Sequence, residues 1–142
     1  MVQARLTFLM ALVAWPAGTA AVAQSVPPRV FVSDSSVKPG DPQLVWLPSA
    51  VTVAPVLRGG MRLVYPDSLR RRGIRGNVVL EFVVDTLGRV EPGVRVLQTA
   101  HPLLAAPAKE MIRRARYAPG RVHGRAVRVV MRMGLKVGPR TP

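Results

Sequence analysis

Two histidines, seven carboxylates and six serines are the side chains of this 142-residue chain best suited to catalysis or metal binding. A metal site needs ligands close in sequence or on one face, and neither His101 nor His123 has a second histidine or a carboxylate at ligand spacing. Five of the serines precede residue 60, and none sits in a Gly-x-Ser-x-Gly elbow. Glu81 and Asp85 share one face of an extended run but stand about 13 Å apart at ~3.3 Å per residue, too far for a paired acid and base. Cysteine is absent, which removes thiolate chemistry, disulfides and cysteine metal sites. No phosphate-binding loop or dinucleotide fingerprint occurs. The expectation is a protein with no catalytic residues, no metal and no cofactor, one that binds rather than converts.

Binding has two sources here, charge and main chain. The chain carries 21 basic and 7 acidic residues, a net charge of +14, and all but Lys38, Lys109 and Lys136 of the basic residues are arginine. Such a balance attracts nucleic acid, anionic lipid headgroups or an acidic protein surface. Residues 1–23 argue against the first. Arg5 gives a positive start, Leu6 to Trp15 is apolar, and Ala21-Val22-Ala23 has the small-x-small form of a cleavage site, so a cleaved signal peptide is expected. The alternative is an uncleaved inner-membrane anchor, and only then would the chain insert in a membrane; Leu6 to Ala23 is just long enough to span one, but Pro16 and Gly18 interrupt it. Either way the rest of the chain leaves the cytoplasm, and nucleic acid is not an expected partner.

The main chain is organised around alternation. Residues 24–60 are rich in Pro, Ser and Val, which predicts an extended linker, with Val30-Phe31-Val32 and Leu44-Val45-Trp46-Leu47 available as short edge strands. Tyr65-Pro66-Asp67 opens a short helix that Gly73 ends, with Arg70, Arg71, Arg72 and Arg75 at its basic end. Asn77 to Asp85 alternates as a strand, Val78, Leu80, Phe82 and Val84 facing one way. Gly88 punctuates a hairpin, Pro92-Gly93 predicts a bulge, and Val94 to Gln98 completes a second strand at a sheet edge. A second helix follows from about Ala106 to Tyr117, burying Ala108, Met111, Ile112 and Ala115. The last strand puts Val127, Val129, Met131, Met133, Leu135 and Val137 on one face, with Arg128, Val130, Arg132, Gly134 and Lys136 on a basic, wet face. The expected fold is α+β, a three-stranded antiparallel sheet with two helices packed on one face. The domain should span 61–138, with 139–142 as a tail.

The order of these residues resembles the C-terminal domain of TonB-type energy transducers. Tyr65-Pro66, Gly76, Phe82 with Val84-Asp85, Gly88-Arg89, Val96-Leu97, Arg116-Tyr117 with Pro119, and Gly124 carry the resemblance. It implies a periplasmic module that takes up a segment of an outer-membrane transporter, or another envelope protein, by strand addition along its last strand, in energy-dependent transmembrane transport. The backbone of Val127, Arg128, Val129, Val130, Met131, Arg132 and Met133 would form the ladder, Arg128, Val130 and Arg132 would flank the guest, and Arg62, Leu63 and Val64 would also touch it. Strand exchange through the same edge would give a homodimer. The competing expectation is an envelope adaptor that holds anionic lipid or polysaccharide through its arginine-rich surface. If residues 1–23 are retained, the domain would instead face the periplasm from an inner-membrane anchor.

Overall fold

The computed structural model describes residues 29–34, 38–41 and 43–139; the expected signal peptide or anchor at 1–23 and residues 140–142 lie outside them. In chain order the elements are β1 (Val30–Val32), β2 (Leu44–Trp46), a 3-10 turn (Pro48–Ala50), β3 (Val56–Arg58), α1 (Asp67–Arg71), β4 (Gly76–Val84) and β5 (Arg95–Thr99). A second 3-10 turn (Pro102–Leu104), α2 (Ala105–Arg114), β6 (Arg116–Ala118), β7 (Gly120–Val122), β8 (Arg125–Val127) and β9 (Val129–Val137) follow.

Alternation in β4 builds the centre. Val78, Leu80, Phe82 and Val84 are at most 1% exposed and share a core with Leu104, Ala108 and Ile112 of the helical layer. β9 runs antiparallel to β4 over nine residue pairs, from Gly76 opposite Val137 to Val84 opposite Val129. β5 lies on the other side of β4 and forms the sheet edge, and Pro92, on which that expectation rested, falls before the strand. Its bulge is at Leu97, because Val79 pairs with Gln98 and Leu80 with Val96. The expected bulge at Pro92-Gly93 is instead a departure: Val90 bridges Val84, then the chain leaves the ladder until Arg95. Pro92 has no amide to offer and Gly93 takes a φ of 94°, so pairing stops there.

Three strands and two full helices do not describe the whole fold. The sheet has five strands in the order β1-β2-β9-β4-β5, with β1, β2 and β9 mutually parallel. The added strands come from the proline-rich stretch, where prolines flank short runs that are apolar on both faces. Val45 is fully buried on one face of the sheet with Val83 and Val130, while Trp46 is buried on the other with Val32, Val127 and Val129. The face expected to be wet is therefore dry at its Val130 end. β3 pairs antiparallel with β6, and β7 with β8, as two small ribbons beside the main sheet.

The helical layer is mostly α2. Ala108, Met111, Ile112 and Ala115 are buried as their spacing requires. Pro107 falls in the first turn, where amides have no partner within the helix, so it costs no hydrogen bond. The helix stops at Arg114, short of the expected Tyr117, because Arg116–Ala118 pairs with Val56–Arg58. α1 is little more than one turn. Gly73, at a φ of 62°, closes it: its amide reaches the Arg70 carbonyl at 3.0 Å, and Ile74 reaches that of Leu69 at 3.0 Å. The Tyr65 hydroxyl donates to the Ile74 carbonyl and ties the helix start to its exit.

The hairpin after β4 is held by Asp85, whose Oδ1 accepts from the amides of Leu87 and Arg89 at 2.8 Å each. Gly88 has a φ of 79° and passes its carbonyl to the Tyr117 amide at 2.8 Å, which fastens the hairpin to β6.

Candidate functional site

β9 has two edges with different fates. Its inner edge is fully paired with β4. On its outer edge β2 makes one bridge, Trp46 to Val129, with the Trp46 amide donating to the Arg128 carbonyl at 2.8 Å. Antiparallel pairing turns alternate residues towards and away from the partner, so the carbonyl of Arg128 fixes the phase. The main-chain groups of Val130, Arg132, Gly134 and Lys136 then point away from β4. β2 ends at Trp46, and the 3-10 turn that follows, Pro48–Ala50, lies beside β9 without pairing with it. Among the described residues no strand pairs with the outer edge from Arg132 to Lys136.

The residues expected to receive a guest strand divide along that line. Val127 lies in β8, paired with Gly120 and buried. Arg128 joins β8 to β9, and its guanidinium grips Glu91 through two N–H groups at 2.5 and 2.7 Å. That hydrogen bonding, opposed by desolvation, raises the Arg128 pKa above its ordinary value. Val129 carries the bridge to Trp46, and Val130 is buried beside Val45 and Val83. Met131 and Met133 are half-buried against the main core, and Arg132 is exposed. The open run thus begins near Arg132 and continues through Gly134, Leu135 and Lys136, beyond the expected Met133. The alternation of those last residues was visible in the sequence; what it could not show is that β2 occupies the start of the edge.

Arg62, Leu63 and Val64 stand elsewhere. Leu63 packs on the main core, while Arg62 and Val64 line a groove of about 480 Å³ against α2, with Lys109, Met111, Arg113 and Arg114. A larger groove of about 840 Å³ lies on the opposite face of the sheet, lined by Phe31, Leu47, Pro48, Val130, Met131 and Arg132, with Glu81 and Arg95 at its side. The two share no lining residue.

Charge is arranged by sharing. Glu81 pairs with both Arg95 at 3.1 Å and Arg132 at 2.9 Å. Glu110 pairs with Arg114 at 2.9 Å and Arg113 at 4.0 Å, and Glu91 with Arg128 and, at 3.9 Å, Arg29. Each carboxylate holding two arginines leaves a local positive excess.

The side chains best suited to chemistry have structural positions. His101 Nδ1 accepts from the Leu103 amide at 3.2 Å and caps the 3-10 turn. His123 lies in the β7–β8 turn. Among the described residues no three His, Asp or Glu side chains converge on a metal position, and no helix is long and apolar enough to cross a membrane. Tyr117 is buried beside Phe82, ring centroids 5.7 Å apart; its hydroxyl has no hydrogen-bond partner among the described residues, and burial raises its pKa. What the edge of β9 can do is offer main-chain donors and acceptors to an extended segment.

The sequence profile described as "Gram-negative bacterial TonB protein C-terminal" matches residues 61–134, just over half of the chain. Among solved structures, the solution NMR structure of the Pseudomonas aeruginosa TonB C-terminal domain is similar, at 21% sequence identity, covering 61% of this chain and 90% of that chain with a TM-score of 0.45. Among curated proteins no match is found.

Proposed function

Since this chain belongs to the family of Gram-negative bacterial TonB C-terminal domains, we propose that it is a periplasmic interaction module. It takes up an extended segment of an outer-membrane transporter as an added strand on β9. The observation that carries the reading is the outer edge from Arg132 to Lys136, which no described strand pairs, on a strand whose inner edge is fully paired. An extended guest gains main-chain hydrogen bonds there without any rearrangement of the core, and the alternation of β9 sets which guest side chains face each side. The same edge would let a second copy of the chain pair as a dimer. A role in energy-dependent transport would further require a link to the inner membrane, and the intact mass of the protein from separated cell fractions tests whether residues 1–23 supply one.

The test is hydrogen exchange with synthetic periplasmic segments of the cell's outer-membrane transporters. Binding should protect the amides of Arg132, Gly134 and Lys136 and should persist between low and physiological salt. Gly134→Pro removes an outward donor at a place where an added side chain meets nothing within 4 Å, and it should abolish binding in a folded protein. A main-chain N-methylated segment should fail against the unaltered protein. Binding that leaves those three amides unprotected overturns the reading.

A further inference from the structure

Resting on strand addition at β9, we infer that this edge selects a segment bearing a large apolar side chain and, four residues away on the same face, a carboxylate. The argument begins at Arg132. In the ladder Arg132 stands opposite Glu81, and its Nε reaches back over β4 to the Glu81 carboxylate at 2.9 Å. The side chain is thus drawn inward, away from the outer edge, and the space beside it is the groove of about 840 Å³.

The register of β2 places that groove against a guest. Trp46 is level with Val129, so Leu47 is level with Val130, and from Pro48 the chain forms a 3-10 turn that stays beside β9 but no longer pairs with it. The next site along the edge, beside Arg132, is unoccupied by any described strand. A guest residue level with Arg132 and facing the same side lowers its side chain between Leu47 and Pro48 on one hand and Arg132 on the other, over Val130. Phe31 forms the far wall, half exposed at 52% although it sits level with the fully buried Val45. The groove is mostly apolar, along Phe31, Leu47, Pro48 and Val130, and polar at Ser49 and Arg132, so it favours an aromatic or long aliphatic side chain. The guanidinium of Arg132 at its rim adds a cation–π contact for an aromatic one.

Further along the same face come Gly134 and Lys136. Gly134 has no side chain and nothing within 4 Å of where a Cβ would be, so it admits any guest residue and selects none. Lys136 is exposed and makes no ion pair with a described residue, while Arg95 and Arg132 share the single carboxylate of Glu81. The potential along this face is therefore positive, and the residue level with Lys136 is favoured as Asp or Glu. Positions level with Arg132 and Lys136 are four residues apart, whichever way the guest runs; strand sense decides only which of the two comes first.

Calorimetry with the full chain and capped heptapeptides tests this. The probe is a threonine-based strand with tryptophan second, valine fourth and glutamate sixth, together with its reversed sequence. One of the two should bind about tenfold more tightly than the peptide with threonine in place of tryptophan. Moving glutamate to the fifth position, on the opposite face, should cost a further few-fold. Phe31→Ala should erase most of the tryptophan preference, and Lys136→Glu should reverse the preference from glutamate to lysine at the sixth position; both side chains are exposed, so the fold is retained. Equal binding of all the peptides, unaltered by either variant, overturns the selectivity while leaving strand addition intact. If none of the peptides binds, the selectivity is overturned here too, and amide protection by the transporter segments decides separately whether strand addition stands.

Discussion

Glu91, in the connection from β4 to β5, and Arg128, at the entry to β9, are 37 residues apart in sequence and joined by a two-pronged ion pair at 2.5 and 2.7 Å. Their side chains are only 18% and 21% exposed, so the pairing offsets part of the solvation that both charges have lost. The pair pins the start of β9 across β4 at the residue whose carbonyl receives Trp46.

Glu91→Ala should therefore lower the unfolding free energy by about 2 kcal/mol, since it removes the two-pronged hydrogen bond of a partly buried guanidinium. Arg128→Ala should cost a similar amount, and the double variant little more than either alone. Urea denaturation of the four proteins checks this, and simple additivity of the two losses would show the contact to be incidental.

Tyr117 carries the opposite expectation. Its ring packs on Phe82 but its hydroxyl is buried without a partner, so Tyr117→Phe should stabilise the protein by about 1 kcal/mol. Burial raises its folded pKa, so the neutral form is retained in the native state after the unfolded chain has lost its proton. The contribution is complete below the ordinary tyrosine range and fades as pH climbs through the folded value. Thermal melts should show an alkaline loss of stability that is smaller in Tyr117→Phe. Identical alkaline slopes for the two proteins would refute that account.

Gly88→Ala should be among the most damaging single changes, at about 3 kcal/mol or more. The residue has a φ of 79°, and an added Cβ would run into the Tyr117 carbonyl. The expected signature is a large drop in melting temperature with the hairpin detached from β6, read as faster exchange of the Tyr117 amide.

Much of this architecture can be read from residue order. The period of two in Gly76–Val84 and Val129–Val137, Gly73 and Gly88 at positive φ, and the buried stripe of α2 all follow from local rules that the structure obeys. What local rules could not supply is pairing. Leu44–Trp46 is legible as a short edge strand but not its place in the sheet, and only the half-sheet it joins explains why Val45 and Trp46 are both buried. Arg116–Ala118 continues a helical stripe in sequence, yet Val56–Arg58 claims it as a strand. The candidate edge was legible as a strand with one basic face. Its open part was not, because the bridge from Trp46 to Val129 is a contact between residues 83 apart in sequence.

The displaced pairing of β5 has a bearing on assembly. A sheet with two equally good rims can stack copy on copy without end, each molecule donating one rim and accepting at the other. Here the rim opposite β9 is spoiled by the bulge at Leu97 and by Pro92, and the far strand β1 is three residues long. Growth is left with one usable side. Two copies that met through β9 would form a two-fold pair that uses the open edge of both.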